Sequence, residues 1–189
     1  MQRPVPPIAA ELADRARRDG VTTIDESLGR LLSTLVHCMQ ANRIVEVGTG
    51  YGYATLWMSL ALPPAGKIWT IDPAIDRTRV AQEYLGRAQT AQRVEIVNSP
   101  ALDVLSHFPL RNLDIVFVDA SHEEYAAYLK DTMPLIKLSG LLIFHGLGHP
   151  AAKVPRELEP FMREFLNRDD IDATVVPVGD GTGIGARIR

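Results

Sequence analysis

Three glycines at alternate positions, Gly48, Gly50 and Gly52, constrain this chain more than any other feature. They follow Ile44, Val45 and Val47, a β-branched apolar run suited to a parallel strand buried on both faces. Glycine at such a turn lets the backbone reverse sharply and lets a ligand come close to it. A helix is predicted over residues 53–62, where Leu56, Met58, Leu60 and Leu62 stand among small residues; Pro63, Pro64 and Gly66 stop it. A second strand is predicted over 67–71, with Asp72 at its carboxyl end. This order places one carboxylate beside the glycine turn, where a ribose diol would be held.

The dinucleotide fingerprint G-x-G-x-x-G/A needs a small residue at its sixth position. Counted from Gly48, that position is Tyr53, which is too large. The residues present read E-x-G-x-G-x-G: Glu46, Gly48, Gly50 and Gly52. This pattern resembles motif I of class I S-adenosylmethionine (SAM) methyltransferases. A tight βα turn without a ligand is the plain alternative.

The chain has 189 residues, enough for one α/β domain with a sizeable core. Its net charge of −3 gives no strong field for nucleic acid or an anionic membrane. Cys38 is the only cysteine, which rules out an intrachain disulfide and fits a cytoplasmic protein. No apolar run is long enough to span a bilayer, and the N-terminus does not read as a signal peptide.

Residues 1–22 read as an extended proline-rich arm, over 1–7, and a short helix, over 8–18; residues 23–189 read as a single domain. Thr23 and Glu26 have capping-box spacing before an apolar stripe that includes Leu28, Leu32 and Val36, a helix expected to pack on the sheet edge. His37 and Cys38 lie on it and are expected to serve packing. Helices are predicted over 75–89, 101–107, 123–133 and 155–168, and strands over 94–99, 113–119, 138–145, 171–178 and 184–188. The alternation implies a mostly parallel sheet with helices on both faces and a closing antiparallel hairpin. Ligands in such sheets sit at the carboxyl ends of the strands, here Gly48, Asp72, Ser99, Asp119 and His145.

With these residues assembled, the chain resembles the small O-methyltransferases related to catechol and caffeoyl-CoA O-methyltransferases. The likeness runs from about Thr23 to the C-terminus. It rests on IDESLGRLLSTLV, ANRIVEVGTGYGYATLWMSLAL, GKIWTID, FVDASHEEY, LSGLLIF and PVGDGTGIGARIR, in that order. The resemblance implies a Rossmann-like, seven-stranded SAM methyltransferase fold with an antiparallel last strand, and often a homodimer. It implies that Gly48, Thr49, Gly50 and Gly52, with Glu46 in the same motif, form the methionine end of the SAM site. Tyr53 opens the helix whose amides favour the amino-acid carboxylate. Asp72 matches the acid on the ribose hydroxyls, Pro100 and Ala101 the adenine edge, and Asp119 the acid beside the transferring methyl.

Four departures shape the chemistry. Ala54 stands where the family commonly has Ser, and Pro100 where it commonly has Asp or Glu. His145 and Gly146 replace the Asp-Asn pair of metal-dependent members, and His122 replaces a Lys. A Mg²⁺ site is therefore not expected, and proton removal is assigned to His122 or His145, with Asp119 orienting the site. Asp119 and His145, joined by His149, would be the alternative donors for a softer metal. The expected reaction is O-methylation of a small phenolic acceptor. The alternatives are a SAM-binding protein that has lost catalysis and, against Tyr53, a nicotinamide-dependent oxidoreductase.

Overall fold

The computed structural model describes residues 4–148 and 155–189, so His149, the third candidate metal donor, lies outside the described residues. So do residues 1–3 of the expected arm.

Seven strands form one sheet: β1 (Arg43–Val47), β2 (Lys67–Ile71), β3 (Val94–Val97), β4 (Leu113–Val118), β5 (Ile136–His145), β6 (Ile171–Val176) and β7 (Thr182–Arg187). Their order is β3-β2-β1-β4-β5-β7-β6. Pairing is parallel from β3 through β5 and antiparallel between β7 and both its neighbours. The closing hairpin is therefore present, with Thr174 opposite Ile184. The register aligns the strand ends. Val47 pairs with Ile71 on one side and Val118 on the other, Val118 pairs with Phe144, and His145 pairs with Thr182. The residues that follow these strands thus form one row along one edge of the sheet.

The helices are α1 (Pro7–Arg18), α2 (Glu26–Met39), α3 (Tyr53–Ala61), α4 (Ile75–Arg87), α5 (Ala101–Leu105), α6 (Tyr125–Thr132) and α7 (Glu159–Asn167). Strand side chains alternate between the two faces. Ile44, Ile115, Phe117 and Ile143 join α1, α2, α3 and α4 in one core cluster. Val45, Val116, Val118 and Phe144 join α5, α6 and α7 in the other. Phe144, Phe161 and Phe165 cluster there with centroids 4.7–5.5 Å apart, Phe161 stacked on Phe165 and Phe144 tilted or edge-on to both.

Several expectations are corrected. Asp25, not Thr23, caps α2, accepting from the Leu28 amide at 2.8 Å. Its side chain sits one turn before that amide, the geometry a cap needs. Helix α2 does not lie at the sheet edge; it packs on α3, where a Cβ on Gly29 would come within 2.5 Å of the Trp57 ring. His37 and Cys38 face solvent. Helix α7 begins at Glu159 rather than 155, because the preceding residues form turns and Pro160 suits a first turn.

Candidate active site

The loop between β1 and α3 carries the first wall of the site. Gly48 has φ +94°, and a Cβ there would lie 2.0 Å from the Asp119 carbonyl oxygen. Only glycine permits both the conformation and the approach of β4. Gly50 has φ +51°, and its amide donates to Asp72 Oδ2 at 2.8 Å; the Ala74 amide donates to Oδ1 at 2.8 Å. Asp72 thereby joins the loop to the end of β2 while leaving lone pairs free.

Beneath this loop lies a small polar layer. Glu46 is fully buried and accepts a hydrogen bond from the Thr55 hydroxyl, while its Oε1 has no partner among the described residues. Burial pushes its carboxyl up to about 8; the Thr55 and Thr70 hydroxyls oppose the shift, and the Asp119 and Asp72 carboxylates add to it. The Thr49 and Thr70 hydroxyls pair at 2.6 Å. Glu46 supports the loop from below rather than facing the cavity, and Gly52, φ +80°, packs against Ala81. Of the glycine-motif residues, Gly48, Thr49, Gly50 and Tyr53 reach the cavity wall, joined by Tyr51 and Ala54.

The cavity is about 760 Å³ and runs along the row of strand ends. Asp72, Pro100 and Ala101 line one end; Asp119 and His145 line the other. Its size suits a ligand with a nucleoside and a second small molecule beside it. His145 is buried, its Nδ1 is 3.5 Å from the Thr182 hydroxyl, and its carbonyl accepts from the Tyr125 hydroxyl at 2.7 Å. Burial raises the Asp119 carboxyl above its ordinary range, opposed by the nearby His145 and His122 rings. His122 does not line the cavity. Its Nε2 stands 2.7 Å from where a Cβ on Gly146 would be, and its ring meets Tyr125 edge-on at 5.0 Å. The structure therefore brings Asp119 and His145 together at the cavity and sets His122 behind Gly146.

The wall residues that sequence reasoning missed include Thr22 and Thr23 from the α1–α2 loop, Arg77 on α4, Asp103 on α5, Glu124 and Asp180. Tyr128 on α6 also reaches the cavity and donates its hydroxyl hydrogen bond to Glu124. The GDGTG run over 179–183 signalled a turn, but nothing local says that Asp180 in it faces the cavity.

A doubly wound sheet with a cavity at its strand ends, a glycine turn and an acid at the next strand defines a nucleoside-binding α/β protein. The O-methyltransferase family model matches residues 10–188, and the chain belongs to that family. It is 33% identical over 140 residues to a catechol O-methyltransferase of Mycobacterium tuberculosis, a match covering 73% of this chain and 63% of the relative's length. It is 30% identical over 186 residues to a caffeoyl-CoA O-methyltransferase of Petroselinum crispum, covering 88% of this chain and 76% of that one. Among solved structures it is similar to the O-methyltransferase TomG of Streptomyces achromogenes in complex with SAM, with 26% identity, TM-score 0.87, and 98% and 92% of the two chains covered. A methyltransferase of Geobacter sulfurreducens matches with 26% identity and TM-score 0.86, over 100% and 93% of the two chains. Among the described residues no helix is long and apolar enough to cross a membrane.

Proposed function

We propose that this protein transfers the methyl group of SAM to a hydroxyl of a small phenolic acceptor. The observation that carries the reading is a single cavity with a nucleoside end at Asp72 and Ala101 and an acid–imidazole end at Asp119 and His145. The residues present fit SAM. Asp72 offers a buried carboxylate for the ribose diol, the glycine turn admits close approach, and the amides at the start of α3 favour a carboxylate. SAM bound there supplies an activated methyl group on a sulfonium. The protein's task is then to align the acceptor oxygen and to take its proton.

His145 is the base this reading favours. It lines the cavity, it is buried, and an imidazole accepts a proton near neutral pH. Asp119 beside it stabilises the imidazolium that forms. His122, off the cavity, positions the His145–Gly146 turn rather than touching the acceptor. The residues do not fit Mg²⁺, which demands an oxygen-rich octahedral shell. Of the three positions that hold it in metal-dependent relatives, only Asp119 bears an oxygen donor; His145 offers nitrogen and Gly146 no side chain. No group of three or more His, Cys, Asp or Glu among the described residues is placed to hold a metal ion. The reading carries a homodimer with it, which light scattering would show as twice 20.8 kDa.

The test uses purified protein with SAM and catechol. Turnover is expected to survive EDTA, to rise with pH under one group near neutrality, and to fall at least ~100-fold in His145→Ala but less in His122→Ala. Turnover abolished by EDTA and restored by Mg²⁺ would overturn the metal-free part. Failure of SAM and S-adenosylhomocysteine (SAH) to bind at millimolar concentration would overturn the whole reading.

A further inference from the structure

His145 can act as a base only through a ring nitrogen that carries no proton and is open to the cavity. We propose that Thr182 is the positioning residue that sets this: it holds His145 as the Nδ1–H tautomer and leaves Nε2 to take the acceptor's proton. The proposal rests on the methyltransferase reading above and adds which nitrogen reacts and what selects it.

Strand register brings the two side chains together. Strands β5 and β7 are antiparallel, and His145 stands directly opposite Thr182. Residues so paired put their side chains on the same face of the sheet. Both are buried, Thr182 completely. His145 Nδ1 lies 3.5 Å from the Thr182 hydroxyl oxygen, while Nε2 has no hydrogen-bond partner among the described residues. The ring lines the cavity, so Nε2 is the nitrogen left for a ligand there.

Counting protons fixes the tautomer. A hydroxyl has one proton to donate and lone pairs with which to accept. Thr182 donates its proton to the Val178 carbonyl at 2.9 Å, a shorter contact than the one to Nδ1. What it turns toward Nδ1 is therefore a lone pair. A neutral imidazole carries a proton on one nitrogen and a lone pair on the other. A bare Nδ1 would set lone pair against lone pair in a buried place, where an unmatched polar group is costly. Nδ1–H instead makes a hydrogen bond. Free imidazole side chains prefer the other tautomer, with the proton on Nε2, and that form would close the cavity nitrogen to base work. Thr182 reverses the preference.

The surroundings hold the ring in that pose. Gly179, φ +59°, packs over it from the β6–β7 turn, and a Cβ there would stand 2.8 Å from His145 Cε1. The turn itself is pinned to the chain leaving β5: the Gly148 amide donates to the Asp180 carbonyl at 2.8 Å and the Leu147 amide to the Gly181 carbonyl at 3.0 Å. The Tyr125 hydroxyl fixes the His145 carbonyl. Asp119 is the carboxylate that acts on the ring by charge. As the bond between acceptor oxygen and methyl forms and the sulfur–methyl bond breaks, the hydroxyl proton passes to Nε2. Both ring nitrogens are then donors. Thr182 keeps Nδ1–H, and Asp119 balances the charge. The 3.5 Å contact is long for a neutral pair and is expected to shorten against the charged ring.

The experiment records long-range proton–nitrogen NMR spectra of protein carrying nitrogen-labelled histidine, with and without SAH, at a pH where the ring is neutral. The two tautomers give distinct nitrogen shifts, and loss of a signal in His145→Ala identifies the residue. The parent and Thr182→Ser are expected to show the Nδ1–H form, and Thr182→Val to move toward Nε2–H. With SAM and catechol, kcat should fall at least ~10-fold in Thr182→Val with KM little changed, and should recover in Thr182→Ser. An Nε2–H ring in the parent would overturn the proposal without any variant having to fold. An unaltered tautomer or an unaltered kcat in a Thr182→Val protein that still binds SAH would overturn it as well. Failure of SAH to bind the parent would remove the methyltransferase reading, while the spectrum of the unloaded protein still decides the tautomer.

Discussion

Glu46 gives the molecule a pH dependence that belongs to one side chain. Its carboxyl titrates at about 8 when folded, against 4.5 in an unperturbed chain. Between these values the folded protein holds a proton that the unfolded chain has released. Stability from this group is therefore complete below about pH 4.5 and is lost as pH rises toward 8. Glu46→Gln keeps an oxygen for the Thr55 hydroxyl and cannot ionise. Its stability relative to the parent should rise between pH 5 and pH 8.5, by an amount of the order of a few kcal/mol. Parallel urea-denaturation profiles for the two proteins across that range would refute the assignment. Asp72 behaves differently because two backbone amides depend on it. Asp72→Ala should weaken SAH binding by ~1–3 kcal/mol and also lower the melting temperature, since the glycine loop loses its tether. Unchanged calorimetric affinity would place the ribose elsewhere. The sequence pattern located both acids but not their difference. A strand residue just inside a glycine turn and one just past a strand end look alike as motif members, and only packing puts Glu46 under the loop.

At the scale of elements, the strands were legible because β-branched runs between glycine and proline breaks leave little choice of period. Helix limits were less so. The α2 cap lies two residues beyond the Thr23 of the capping-box spacing, because it is the Asp25 side chain that reaches the Leu28 amide. Asp25→Ala should therefore cost ~1 kcal/mol and Thr23→Ala much less as a cap, measured by urea denaturation. A reversed order would return the cap to Thr23. The contact of α2 with α3 could not be read from periodicity. It depends on Gly29, buried near the start of α2, being small enough to lie under Trp57. Adding a methyl at Gly29 gains helix propensity of nearly 1 kcal/mol, yet meets the indole at 2.5 Å. Overpacking typically costs 1–3 kcal/mol, so the clash should win. Gly29→Ala is expected to lower stability while leaving catechol affinity of the SAH-loaded protein unaltered, because neither residue lines the cavity. A variant more stable than the parent would show that α2 and α3 can part freely.

On the scale of the molecule, the site is assembled from chain positions as far apart as Thr22 and Asp180. Its wall includes residues at the ends of four strands and in the turn beyond β6, so it exists only when the sheet is assembled. The two core clusters lie on opposite faces of that sheet and share its central strands, β1, β4 and β5. Losing either cluster would disturb the row of strand ends. A ligand in this cavity should consequently stabilise the whole fold rather than one segment. The unfolded chain has no comparable arrangement, so the stabilisation follows RT ln(1 + [L]/Kd), ~2.7 kcal/mol at a hundredfold excess over Kd. For a domain of this size, 1 kcal/mol moves the melting temperature by roughly 2–4 °C. Saturating SAH should raise it by about 5–11 °C in a single transition, and the shift should shrink in Asp72→Ala. Two transitions, with only one moved by SAH, would show that the faces unfold separately and that the cavity depends on one of them alone.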